Sequence, residues 1–176
     1  MYRAGHHKMP CHRKYLTVSR NPAKSIVKPL IVLLVVFGIS LLTLHLVNGQ
    51  YQLALSGRIA MAAMLAFTAI GHFAFTMGMT MMIPEIVPYK KQVVYLTGLF
   101  EILAAIGLLI PNIYRLTSWS LIIFFILILP ANINAALKKV DFQKKTNTGN
   151  GVSYLLFRVP LQIVFILWTY YSGIKN

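Results

Sequence analysis

Five stretches of this chain are too long and too apolar for a soluble fold to hide. They run approximately Ile26–Val47, Arg58–Ile83, Val93–Ile110, Leu116–Leu137 and Ser153–Ser172. A hydrocarbon core about 30 Å thick is crossed by about 20 helical residues, and each run is of that order. Backbone groups inside a bilayer must find their partners within the segment, which a helix provides. Turn-forming residues separate the runs: Asn48-Gly49, Pro84 and Pro88, Pro111-Asn112, and Thr148-Gly149-Asn150-Gly151. Composition agrees, with 57% hydrophobic and 11% charged residues, where soluble domains carry about 25% charged. The pattern predicts an all-α membrane protein of one domain with five transmembrane helices and no internal repeat. The first run follows a basic segment, as in a signal peptide. It is too long for such a core and lacks a small-x-small cleavage site, so it is expected to be a retained helix.

A net charge of +14 raises nucleic acid as a partner, and the placement of the charges argues against it. Arg3, Lys8, Arg13, Lys14, Arg20, Lys24 and Lys28 lead into the first run, and most other cations lie in the short gaps between runs. That distribution belongs to loops at a membrane surface and not to a basic face on a folded domain. With the N-terminus in the cytoplasm, the inner loops also hold Lys90, Lys91, Lys138, Lys139, Lys144 and Lys145. The outer segments hold only Arg58, Arg115 and Lys175. The expectation is a multi-pass protein with a cytoplasmic N-terminus and an extracytoplasmic C-terminus. The single cysteine, Cys11, has no internal partner for a disulfide or a redox pair.

Ionisable side chains at the centre of a membrane helix cost about 2.5–3.5 kcal/mol each on insertion scales, so each needs a partner or a purpose. Here they are His45, His72, Glu101 and Arg158, accompanied by Asn132, Asn134 and Gln162. At 1.5 Å per residue, Arg158 and Asn132 lie about 8 Å from the inner end, Glu101 and Gln162 about 12–13 Å, and His72 about 16 Å. Four helices therefore place His72, Glu101, Asn132, Arg158 and Gln162 in the same half of the membrane. Thr68, His72, Thr76 and Thr80 repeat every four residues and predict a polar stripe. Thr97 and Glu101 share a face, as do Arg158 and Gln162. Asn132 and Asn134 are two apart, so at most one faces the cluster. Pro130 is expected to kink the fourth helix beside Asn132, and Gly71, Gly98, Ala104, Ala105 and Gly107 to permit close helix approach.

The expected core of this cluster is a buried ion pair between Glu101 and Arg158, with His72, Asn132 and Gln162 bonded around it. Two plainer readings stand beside it: polar groups that only specify bundle packing, or an Arg158 that snorkels to the inner surface. His45 lies near the outer end and His72 far inward, which argues against a shared haem. Met77, Met79, Met81 and Met82 read as gap-filling residues rather than copper ligands. His6, His7, Cys11 and His12 match no standard metal spacing and read as a tail drawn to anionic lipid; no metal site is expected. Trp119, Trp168, Tyr170 and Tyr171 fall where an outer aromatic belt belongs, and Glu85 reads as a solvated loop residue. The chain carries no phosphate-binding glycine loop, no His-Glu-x-x-His motif and no G-x-S-x-G elbow.

Ordered motifs from Arg58 onward resemble the DoxX-like family of small bacterial membrane proteins. They are His72-Phe73; Thr97-Gly98 with Glu101-Ile102; Gly107-Leu108-Leu109-Ile110-Pro111; Pro130-Ala131-Asn132-Ile133; and Arg158-x-Pro160-Leu161-Gln162. The resemblance implies a four-helix DoxX-like bundle over residues 58–172 in a bacterial plasma (inner) membrane. An extra transmembrane helix at 26–47 and a basic cytoplasmic segment at 1–25 lie outside that pattern. Some relatives look like parts of membrane oxidoreductase complexes, and the family name comes from a subunit of a thiosulfate:quinone oxidoreductase.

The leading functional expectation is an accessory membrane component without catalytic activity of its own, whose polar cluster binds a lipid-like molecule or supports a membrane protein partner. The alternative is a quinone-linked subunit of an oxidoreductase complex, with His72 and Glu101 at the quinone headgroup. A small-solute or proton transporter is a third class, disfavoured by the lack of repeats and of discontinuous helices.

Overall fold

The computed structural model describes residues 22–147, 149 and 151–175. The basic segment before Pro22, with His6, His7, Cys11 and His12, lies outside the described residues, as do Thr148 and Asn150 of the last turn. All described regular structure is helical apart from one isolated bridge between Asp141 and Thr146. The helices are α1 (Pro22–Asn48), α2 (Leu53–Ala74), α3 (Thr76–Thr80), α4 (Lys90–Gly107), α5 (Tyr114–Leu127), α6 (Leu129–Leu137) and α7 (Val152–Gly173).

Four segments are long and apolar enough to cross a membrane: Val27–Asn48, Leu53–Ala74, Tyr114–Leu137 and Leu155–Gly173. The chain is thus an all-α protein with the helices of a membrane protein. The expected third span differs. Its helix, α4, has 18 residues, but Lys90, Lys91 and Glu101 are among them, and it is not one of the four. It packs instead between α2 and α5. The second expected run is two helices, α2 and α3, separated at Phe75, where φ is −118°. The fourth breaks between Leu127 and Leu129, with Pro130 in the first turn of α6. Proline has no N–H to donate to the preceding turn, so the break falls where the sequence expects a kink.

Small residues set the arrangement. Gly98 on α4 meets His72 on α2, Gly107 on α4 meets Thr117 on α5, Gly173 on α7 meets Ser118 on α5, and Gly57 on α2 meets Ser172 on α7. These four contacts close a ring in the order α2, α4, α5, α7. Without a hydrophobic driving force between helices in lipid, such approaches supply packing that larger side chains would block. Met61, Met64, Leu65, Leu108, Leu121 and Phe125 fill the interior. Leu96, Leu103, Leu116 and Leu127 point outward, as lipid-facing residues do. α1 lies outside the ring, on α2 and α7, and Ile31, Leu34, Val35, Ile39 and Leu42 on it are exposed.

Contacts near the helix ends show that the helices alternate in direction. At one end Lys138 Nζ lies 2.5 Å from Glu85 Oε1, Asn134 Nδ2 donates to the Met82 carbonyl at 2.7 Å, and Phe142 packs edge-on to Phe75. At the other, Arg58 lies 3.9 Å over the Tyr114 ring, His45 stacks on Tyr51, and Trp168 Nε1 donates to the Gly57 carbonyl at 3.0 Å. The six loop lysines of the sequence reading share the first end, and Arg58, Arg115 and Lys175 share the second. Glu85 is exposed, as expected, but it is engaged: the Lys138 hydrogen bond, with further attraction from Lys138 and Lys90, holds its carboxyl below the ordinary value.

Candidate functional site

The polar residues inside the bundle form two groups rather than one. The first lies on the seam between α2 and α4. Gly98 has no side chain to hold α4 away from His72, and a Cβ there would stand 2.8 Å from His72 Cβ. That approach lets the imidazole reach across. His72 Nδ1 lies 3.0 Å from Thr97 Oγ1, and Nε2 lies 3.4 Å from Glu101 Oε1. Thr97 and Glu101 are four residues apart on one helical face, which is why both meet the same ring. The side chains of His72 and Glu101 are 19% and 7% exposed. Glu101 Oε2 is buried and has no hydrogen-bond partner among the described residues.

The second group joins α5, α6 and α7. Arg158 Nε donates to Asn132 Oδ1 at 3.4 Å, and Asn132 Nδ2 donates to Gln162 Oε1 at 3.3 Å. Gln162 Nε2 donates to the carbonyl of Phe125. That carbonyl belongs to the last turn of α5, next to the Pro130 break, where a side chain from α7 can approach the backbone. Asn132 and Gln162 are both buried.

The expected ion pair between Glu101 and Arg158 is therefore corrected: the ion-pair partner of Glu101 is His72. The helices that carry them, α4 and α7, occupy opposite places in the ring, and among the described residues their backbones do not approach each other. The polar stripe, divided between α2 and α3, also changes meaning. Thr68, Thr76 and Thr80 donate to carbonyls of their own turns, at Leu65, His72 and Met77 respectively. Of the stripe, His72 alone is seen to cross to α4. Of the paired asparagines, Asn132 enters the second group while Asn134 turns to the Met82 carbonyl.

Two contacts of these groups escaped the residue pattern. Thr97 is the second partner of His72; its spacing from Glu101 marked a shared face but not this role. The Phe125 carbonyl had no signal, because a backbone acceptor has no sequence identity. Elsewhere, Met82 is buried and Met79 and Met81 pack against the core, as gap-filling methionines do. A cleft of about 400 Å³ lined by Tyr51, Gln52, Leu53, Ala54, Leu55 and Arg58 lies at the other end of α2 from His72 and shares no residue with either polar group.

Over residues 61–172 the chain matches the model of a family described as a domain of unknown function (DUF8561), and it belongs to that family. The matched region begins inside α2 and takes in both polar groups, leaving α1 outside. No curated protein and no solved structure matches the chain.

Proposed function

We propose that this chain is an accessory membrane protein, without catalytic activity of its own, that binds a lipid-soluble molecule at the His72–Glu101 seam. The observation that carries this reading is Glu101 Oε2. A buried acceptor costs free energy unless it is bonded, and native proteins rarely leave one so. An acid inside a membrane bundle marks a functional site by default. His72 retains some exposure while Glu101 is enclosed, so a molecule arriving between α2 and α4 meets the imidazole first and the carboxyl behind it. The Arg158–Asn132–Gln162 group has its hydrogen bonds inside the bundle and reads as support for the ring.

The DoxX-like motifs favour the same placement, since His72, Thr97 and Glu101 all belong to them. Under this reading the protein lies in a bacterial plasma membrane with α4 as a fifth crossing. The lysine-rich end is cytoplasmic and the end bearing Arg58, Arg115 and Lys175 is extracytoplasmic. A reporter fused to the C-terminus then reports an extracytoplasmic location; a cytoplasmic signal rules out that topology.

Native mass spectrometry in mild detergent, on the wild type beside His72→Ala, tests the binding reading. A small molecule retained by the wild type and lost from an equally well-folded variant supports it. If that molecule is a quinone, the chain is better read as a quinone-linked subunit of an oxidoreductase complex. A copurifying protein with no small molecule would sink the ligand reading and leave both groups as internal glue.

A further inference from the structure

The hydrogen-bond directions around His72 fix where its protons are. Thr97 Oγ1 lies 2.9 Å from the Val94 carbonyl one turn back and 3.0 Å from His72 Nδ1. A hydroxyl carries one proton, and a carbonyl cannot donate one. The contact with Val94 therefore uses the Thr97 proton, as Thr68 and Thr76 use theirs on carbonyls one turn back. The Thr97 oxygen is left as an acceptor toward Nδ1, so Nδ1 carries hydrogen. His72 Nε2 then faces Glu101 Oε1 at 3.4 Å, and two lone pairs would oppose each other unless a proton lies between them.

The reverse assignment turns the Thr97 hydroxyl to Nδ1 and puts the imidazole hydrogen on Nε2. The Thr97 hydroxyl then gives up its bond to the Val94 carbonyl, and an ionised Glu101 is a net charge held away from water with nothing to offset it. No other ion pair among the described residues reaches either side chain: Lys90 and Lys91 sit in the first turn of α4, and Arg158 Nε bonds Asn132. The neutral arrangement wins on both counts.

We infer that Thr97 is a positioning residue that keeps the His72 proton on Nδ1, so that His72 and Glu101 share one further proton and carry no net charge. Glu101 Oε2 is then a lone-pair acceptor facing a neutral site. The ligand it selects is an uncharged lipid-soluble molecule with a hydroxyl or N–H donor. A headgroup that brings only acceptors is refused. The ligand class rests on the binding reading proposed above; the proton assignment does not.

Nitrogen NMR of ¹⁵N-histidine-labelled protein in detergent near neutral pH tests both parts, with the His72 signals assigned by their loss in His72→Ala. The expected spectrum has hydrogen on Nδ1. It persists in Thr97→Ser and is lost in Thr97→Val. A wild type with hydrogen on Nε2 and a bare Nδ1, or a Thr97→Val spectrum like the wild type, overturns the assignment. For the ligand class the probes are dodecanol and its methyl ether. Dodecanol is expected to shift the His72 Nε2 resonance, and the ether, which has no donor, to leave it in place. Equal effects, or no effect from either, overturn the donor requirement. A tautomer as expected in a protein that retains no molecule in mass spectrometry would instead remove the binding reading and leave the proton assignment standing.

Discussion

Replacing Gly98 by alanine tests the helix approach on which the site depends. The added Cβ would lie 2.8 Å from His72 Cβ and 3.3 Å from Phe73 Cε2. His72 Cβ is fixed to the α2 backbone, so it cannot swing aside as the end of a flexible side chain could. Carbon atoms pack best at about 3.5–4.0 Å, which requires α4 to retreat by roughly 0.7–1.2 Å. Overpacking of this kind costs about 1–3 kcal/mol. Alanine in place of a helical glycine returns about 1 kcal/mol through propensity, so the net loss is about 0–2 kcal/mol. Gly71→Ala separates the two terms: its Cβ would meet only Met79 Cε at 3.6 Å, an ordinary contact. The difference between the two variants should therefore be about 1–3 kcal/mol, a factor of roughly 5 or more in the folding equilibrium. Unfolding in mixed micelles by added SDS, followed by the fluorescence of Trp119 and Trp168, measures it. The retreat also stretches the 3.4 Å contact between His72 and Glu101 beyond hydrogen-bond range. If Gly98→Ala proves as stable as Gly71→Ala, the α2–α4 approach described here is wrong.

The second polar group makes its own prediction. Asn132→Leu removes the acceptor of Arg158 Nε and the donor to Gln162 Oε1, and should cost about 1–3 kcal/mol for the buried Gln162 carbonyl that loses its donor. Asn134→Leu releases one backbone carbonyl, at Met82; a loss as large as that of Asn132→Leu in the same unfolding assay would contradict the assignment of Asn132 as the joint. At the lysine-rich end, the folded Glu85 carboxyl is held below its ordinary value by Lys138. Its contribution is therefore present above the unfolded carboxylate range and lost as pH falls through the folded value. The effect is small because the pair is exposed, and salt screens it further. Lys138→Met should flatten this part of the pH dependence at low salt; an unchanged slope would show that the contact does not persist in solution.

How much of this was legible in the residues depends on whether depth or direction was at issue. Apolar length located all five runs, and Pro130 announced the break in the fourth. The break at Phe75 had no comparable signal, since no proline or glycine occupies it. Counting residues along each helix gave His72, Glu101, Asn132, Arg158 and Gln162 similar expected depths, and it could not tell that they form two groups. Partnership depends on the order of helices around the ring, and one sequence carries no direct record of that order. Glu101 and Arg158, the obvious charge complement, therefore stand on helices at opposite places in the ring. Thr97 was half visible through its spacing from Glu101. Its bond to His72 appeared only once Gly98 was seen to let the two helices meet.

The ring order differs from the order in which the chain is made, and this bears on assembly. α2 and α4 can form their seam early, and α5 can join α4 next. α2 keeps one open side until α7, the last helix, brings Ser172 against Gly57. α1, though first in the chain, is also incomplete until then, because Phe37 packs edge-on to Trp168. The final helix thus acts as a keystone for the oldest part of the molecule. Closure joins residues more than a hundred positions apart, which makes it an expensive contact to reach. A nascent chain halted before α7 would hold the His72–Glu101 seam in a bundle open on its far side.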